Sequence, residues 1–311
     1  MAAVADAVLV ATSPAPKVEL NAFENLLCGF VTGTCTRTLT SPFDVVKILL
    51  QVNAKGGSAS ETIAKLWRED GIKAFWRGNF VGCLNQGPQS ALKFLVLENL
   101  KKLIGKEQLS GGERALMGAC AGIVSQTCVY PVEFIHTRIL LDPKKYHGIF
   151  QTASTIIREE GITAFWSGIA PTIAGSIPFE GSQFFTYDTL AQLYKEKVAH
   201  SQTISPVANC AIGAIAGAIS QTVAFPFDVV RKRMMAGQKM GGNLPTTMGG
   251  AFKQIYQNEG VGGFFKGLTV NMVKIIPYSA LQYTIFAETK KAVLNYKIQQ
   301  AQAAATTKKG K

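Results

Sequence analysis

The sequence predicts an all-α membrane protein built from three related units, and three observations carry that reading. An element of the form Pro-x-acid-x-x-base or imidazole occurs three times, with Pro42, Asp44 and Lys47, with Pro131, Glu133 and His136, and with Pro226, Asp228 and Arg231. Thirteen and nine residues before each proline lie Gly29 and Gly33, Gly118 and Gly122, and Gly213 and Gly217, a Gly-xxx-Gly helix-packing face in every unit. Downstream come Asp70-Gly71, Glu160-Gly161 and Glu259-Gly260, then Gly78, Gly168 and Gly267 seven residues on, then Pro88, Pro178 and Pro277 ten residues further. Equal spacing in three units marks an internal repeat of about a hundred residues.

Composition narrows the class. The 311 residues are 47% hydrophobic with a net charge of +12, and the mean hydropathy is only +0.16. A soluble helical repeat competes, because no stretch is an uninterrupted run of about 20 apolar residues. Residues 23–51 come closest, interrupted by Arg37 and Asp44. A bundle that encloses an aqueous path resolves the conflict, since its helices need an apolar face only toward lipid. The basic residues are spread along the chain apart from Lys308, Lys309 and Lys311, and no nucleic-acid motif accompanies them. The charge therefore points to an anionic ligand or anionic lipid, with no nucleic-acid partner. The six cysteines form no C-x-x-C pair and have no His neighbours at zinc spacing, so free thiols and no metal are expected. Nor is there a nucleophile–base cluster, and His147 and His200 fall in loop-like surroundings. No enzyme activity, catalytic residue or cofactor is expected.

Residues 1–19 lack the charged start of a secretory signal and the arginines of a transit peptide. They read as a short disordered tail, with targeting carried internally. A first helix is expected from about Asn21 to Val52 with Pro42 inside it, where proline removes a hydrogen bond and bends the helix. The same bend is expected at Pro131 and Pro226. Amphipathic stretches follow at 60–69, 150–159 and 247–258, and Ile63, Leu66 and Trp67 recur at the i, i+3, i+4 spacing of a helix lying in the interface plane. The even helices begin near Val81, Ile169 and Thr269 and run to Lys101, Ala191 and Lys290.

The repeated Pro-x-Asp/Glu-x-x-Lys/Arg element, the acid-Gly-x-x-x-Phe-Trp/Phe-x-Gly element and the threefold period resemble the mitochondrial carrier family over residues 20–295. The resemblance implies six tilted transmembrane helices, two per pseudo-symmetric repeat, around a central cavity opening alternately to each side of the mitochondrial inner membrane. The units are then 20–107, 108–200 and 201–296, between the tail 1–19 and a basic C-terminal tail 297–311. Loops 53–80, 143–168 and 237–267 hold five, three and three Lys/Arg, against three in the short links near 102–110 and 197–205. The positive-inside bias puts the long loops in the matrix and both termini in the intermembrane space.

Within that family each acid of the proline element pairs with the base of the next unit when the cavity is closed to the matrix. This implies a matrix gate of Asp44 with His136, Glu133 with Arg231, and Asp228 with Lys47. His136 stands where the pattern has Lys or Arg, and an imidazole titrating near about 6.5 would weaken the gate as pH rises. The opposite, cytoplasmic gate maps onto Glu98, Lys101, Asp188 and Lys290; Ala191 and Ala287 replace a base and an acid, so only Asp188 with Lys290 can form. Asymmetry at equivalent positions marks the substrate site, because a pseudo-symmetric cavity needs unlike chemistry only for an asymmetric ligand. Arg37 faces Gln126 and Gln221 in this comparison, Asn85 faces Gly175 and Lys274, and Lys93 faces Gln183 and Gln282. The family's contact positions add Gln86, Ser176 and Ile275. Lys274, Arg37 and Lys93 are the expected phosphate or carboxylate partners, and Glu180 neutralises a lysine or accepts from a ligand amine.

Gly78-Asn79 leading to Pro88, and Gly267 through Asn271 and Lys274 to Pro277-Tyr278, are similar to the branch that moves adenine nucleotides, coenzyme A and thiamine pyrophosphate. An exchanger of a phosphate-bearing nucleotide or cofactor is expected, a monomer whose partners are a small anionic substrate and membrane lipid, cardiolipin included. Carboxylate or amino-acid carriage, and a carrier-fold membrane adaptor without transport, are the alternatives.

Overall fold

The computed structural model describes residues 21–53, 57–104, 111–196, 205–237 and 247–309; the expected tail at 1–19 lies outside them. Each unit contributes two long helices with a short one between. These are α1 (Ala22–Val52), α2 (Ala59–Asp70) and α3 (Asn79–Ile104), then α4 (Gly111–Leu141), α5 (Ile149–Glu160) and α6 (Ile169–Tyr194), then α7 (Pro206–Ala236), α8 (Met248–Glu259) and α9 (Leu268–Lys309). A short 3-10 helix follows α2, α5 and α8. The 31 residues of α1, α4 and α7 correspond to roughly 46 Å at about 1.5 Å per residue.

All six long helices carry a proline inside them and continue through it. The last runs on to Lys309, well past the end expected at Lys290. Among the described residues, the stretch nearest to a membrane span by itself is Ala208–Ala236, with mean hydropathy 1.5; it displaces 23–51, because α7 lacks a counterpart of Arg37.

Neighbours pack in the ring order α1, α3, α4, α6, α7, α9 and back to α1. The odd helices converge at the end that carries the short helices, and all three apolar cores lie there. Tyr130, Phe134 and Phe225 are fully buried in that region, each such side chain contributing roughly 1.5–3 kcal/mol on burial. The short helices plug the cores through equivalent residues, Leu66, Ile156 and Ile255. The apolar stripe expected to lie in an interface plane is thus split: Leu66 joins Val45 and Val46 in the core, whereas Ile63 and Trp67 stay exposed.

Two seams at this end are tied by buried guanidiniums. Arg138 bonds Glu160 at 2.6 Å, and Arg233 grips Glu259 with two N–H groups while donating to the Gln51 carbonyl at 2.8 Å. The equivalent residue of the first unit is Leu49, so Arg77 turns to Asp70 instead. A polar hollow of about 370 Å³ remains there, bordered by Leu49, Glu69, Asp142 and Lys144.

The Gly-xxx-Gly rows behave differently from expectation. A Cβ added at Gly29, Gly118, Gly122, Gly213 or Gly217 would meet no neighbour, so the rows of the second and third units do not pack closely in this conformation, whereas Gly33 of the first is buried. Glycines in tight contact include the three that open the second long helix of each unit. Gly78, Gly168 and Gly267 have φ of 71°, 90° and 85°, which favours glycine. A Cβ on them would lie 3.4 Å from the backbone oxygen of His136, 3.0 Å from that of Arg231 and 3.1 Å from that of Lys47. The second long helix of each unit therefore starts directly against the residue of the next unit that was expected to form the gate.

Candidate substrate site and gates

Because each proline element sits on a converging odd helix, its charges meet near the pseudo-threefold axis. Lys47 bonds Asp228 at 2.8 Å, and Gln51 donates to the same carboxylate oxygen at 3.0 Å. Glu133 takes Arg231 and also Lys232, at 3.0 Å. Two of the three expected contacts are thus present.

The third is not. Asp44 receives the ammonium of Lys274, from α9, at 2.6 Å, and among the described residues no hydrogen bond or ion pair joins it to His136. The reason is reach and space. The short imidazole is buried against Gly78, 3.1 Å from where a Cβ would stand, while a flexible four-carbon stem carries the Lys274 charge across to α1. The pH-sensitive gate expected from an Asp44–His136 pair loses its basis.

Above this floor lies a cavity of about 410 Å³. It collects Lys93, Gly175, Ser176 and Glu180 of the expected site, over Lys47, Asp228 and Arg231. Lys93 and Glu180 are exposed and make no ion pair among the described residues, leaving one cation and one carboxylate available at the walls. Arg37, Asn85, Lys274 and Ile275 are not part of this lining. The Arg37 guanidinium lies directly on Gly82 of α3. Asn85 is buried, and its Oδ1 has no hydrogen-bond partner among the described residues. The side chains of Gln86 and Lys101 lie outside the described residues. Glu98, Asp188 and Lys290, at the far end, form no ion pair among the described residues, and Lys290 is exposed.

Four polar residues were not among the expected site residues, although Gln126 was compared with Arg37. Gln89 donates to Gln126 at 2.7 Å and Gln126 to Glu133 at 2.9 Å, a chain from the cavity wall to the floor. Gln51 and Lys232 complete the set. Signals existed: Gln51 stands opposite Leu140 and Met235, an asymmetry of the kind that picked out Arg37, and Lys232 belongs to the basic run Arg231-Lys232-Arg233.

Gly175 has a packing duty besides lining the cavity. A Cβ there would lie 2.7 Å from the Cβ of Phe227, so α6 meets α7 only because the side chain is missing. Gly175→Val is expected to cost about 1–3 kcal/mol of stability as Phe227 is pushed into the cavity. Melting within error of the parent protein would show that the two helices tolerate separation.

The family described as "Mitochondrial carrier protein" matches residues 18–108, 107–198 and 202–297. Among individual proteins, the chain is 34% identical over 275 residues to the "Mitochondrial adenyl nucleotide antiporter SLC25A25" of Rattus norvegicus, covering 86% of this chain and 59% of that protein. A putative calcium-binding mitochondrial carrier of Caenorhabditis elegans is 35% identical over 279 residues, 86% of this chain and 47% of that one. The chain thus spans about half the length of the curated relatives it matches.

Proposed function

Since the chain belongs to the mitochondrial carrier family, we propose that it exchanges adenine nucleotides, or a closely related phosphate-bearing cofactor, across the mitochondrial inner membrane by alternating access. In this reading the six long helices span the bilayer as the three repeats drawn above, and the short-helix end faces the matrix. The observation that carries it is the joined set of Lys47–Asp228 and Glu133–Arg231–Lys232 contacts beneath a water-accessible cavity, with the far-end charges apart. This is the arrangement of a carrier closed to the matrix and open to the intermembrane space. The volume lies in the range of small-molecule sites, roughly 300–1,000 Å³. Lys93 at the cavity wall, and Lys274 once it is drawn in from the gate, supply cations for phosphate oxygens, whereas Arg37 is held against Gly82. The rat relative's name, an adenyl nucleotide antiporter, favours nucleotides over carboxylates or amino acids.

The test is a thermal-shift screen of the purified protein followed by exchange in liposomes. A nucleotide at about 100 times its Kd should stabilise the fold by about 2.7 kcal/mol, and Lys274→Ala should abolish nucleotide exchange while leaving the protein folded. Stabilisation by dicarboxylates or amino acids alone would transfer the assignment to those substrates, and ligand-independent melting throughout would favour an adaptor.

A further inference from the structure

The three acids at the matrix end are not equally held. Asp228 has Lys47 and Gln51, and Glu133 has Arg231, Lys232 and Gln126. Among the described residues, Asp44 has Lys274 alone. The base that its own ring position should receive is His136, which is buried and bonded to no carboxylate among the described residues. Lys274 comes from α9, the second long helix of the third unit, and its equivalents Asn85 and Gly175 bring no charge, so neither of the other seams has such a contact. The pair is also reachable: the Lys274 and Asp44 side chains retain 20% and 21% of their exposure. The ammonium rests 5.2 Å from the centre of the Tyr278 ring, turned toward the gate and not among the groups lining the cavity.

We propose that Asp44 and the substrate compete for the Lys274 ammonium, so that a phosphate drawing Lys274 into the cavity unlatches α1 from α9 and starts opening on the matrix side. The idea rests on the carrier reading above and deepens it. A ligand shifts a conformational equilibrium only by its differential affinity for the two states. Here the difference has a physical source, since Lys274 is free for a phosphate only once Asp44 has let go. His136 cannot take its place, because its ring lies against Gly78 without reaching the carboxylate. The other two acids each keep a second hydrogen-bonding partner when one is lost, so the α1–α9 seam is the one a single bound anion can release. Asp44 is then a positioning residue that suppresses opening of the empty carrier.

The experiment uses the full chain in liposomes with ADP as probe and a cysteine introduced at Gln221, on the cavity wall, labelled from the matrix side. In the parent protein ADP should raise labelling several-fold. In Asp44→Asn labelling should already be high without ADP, and the KM for ADP should fall at least threefold because Lys274 no longer has to be detached. In His136→Lys, which gives Asp44 a second base, ADP should still bind but should no longer accelerate labelling. A merely structural role for Asp44 would lower the melting temperature without lowering KM. The latch is wrong if Asp44→Asn keeps low basal labelling and an unchanged KM while ADP still acts on the parent protein. If ADP acts on neither, nucleotide carriage is the reading that fails, and the basal labelling of Asp44→Asn still decides the latch.

Discussion

Replacing Arg233 by methionine is expected to lower stability by about 3–5 kcal/mol, among the largest effects of any single substitution in this chain. Removing Arg233 leaves the buried Glu259 carboxylate with Lys266 alone among the described residues and the Gln51 carbonyl without its donor, and such a penalty exceeds what a buried pair contributes when intact. The Arg233 and Glu259 side chains are only 4% and 7% exposed, and the arginine also satisfies the end of α1 through the Gln51 carbonyl. Arg233→Met combined with Glu259→Gln should cost less than the two single changes together, since they share one network. Acid probes the same contact. Burial alone would raise the Glu259 carboxyl, but hydrogen bonds from Arg233 and Lys266 hold it below the ordinary 4.5. A carboxylate depressed in the folded state stabilises above its unfolded value, and that contribution disappears as pH falls through the folded one. The melting difference between the parent protein and Glu259→Gln should therefore shrink on going from about pH 6 to below about pH 4. Melting of Arg233→Met within about 1 kcal/mol of the parent would mean that packing, and not this charge network, holds the third seam.

Glu133→Ala should be comparably severe and should abolish transport. Its carboxylate is shared by Arg231 and Lys232, whose side chains are 16% and 8% exposed, and it accepts from Gln126 as well. Without it two neighbouring cations face each other in a buried seam, with a cost on the order of 3–5 kcal/mol. The α4–α7 contact should open, so a cysteine at Gln221 should label from the matrix side without substrate. Glu133→Asp keeps the charge on a shorter stem and should recover part of both properties. Should Glu133→Ala still exchange substrate with a sealed matrix side, the closing contacts must lie elsewhere.

The site was legible to the extent that it repeats. Acids and bases of the proline elements could be placed at one end of the bundle because a helix fixes which residues share a face, and the family resemblance implied the pairing of Lys47 with Asp228 and of Glu133 with Arg231. Side chains that serve the tertiary structure singly were harder to place. Gln89 and Lys232 follow no repeated pattern, Gln126 recurs only as Gln221, and Arg37, the most conspicuous charge inside α1, turns out to lie against Gly82 and away from the cavity lining.

The sequence by itself determined the threefold repeat, the six proline-bearing helices, the short helices between them and the set of charges available to close one end. All of these depend on spacing along the chain, where helical period and turn chemistry act locally. The tertiary structure alone decided which charges meet. Asp44 and Lys274 are 230 residues apart, and their contact exists because α9 returns to close the ring against α1, bringing a long flexible stem within reach of a carboxylate that the shorter imidazole cannot touch. The idle Gly-xxx-Gly faces of the second and third units have the same origin: spacing places glycines on one face, but whether a neighbour comes close enough to use them depends on how the helices splay in a given conformation.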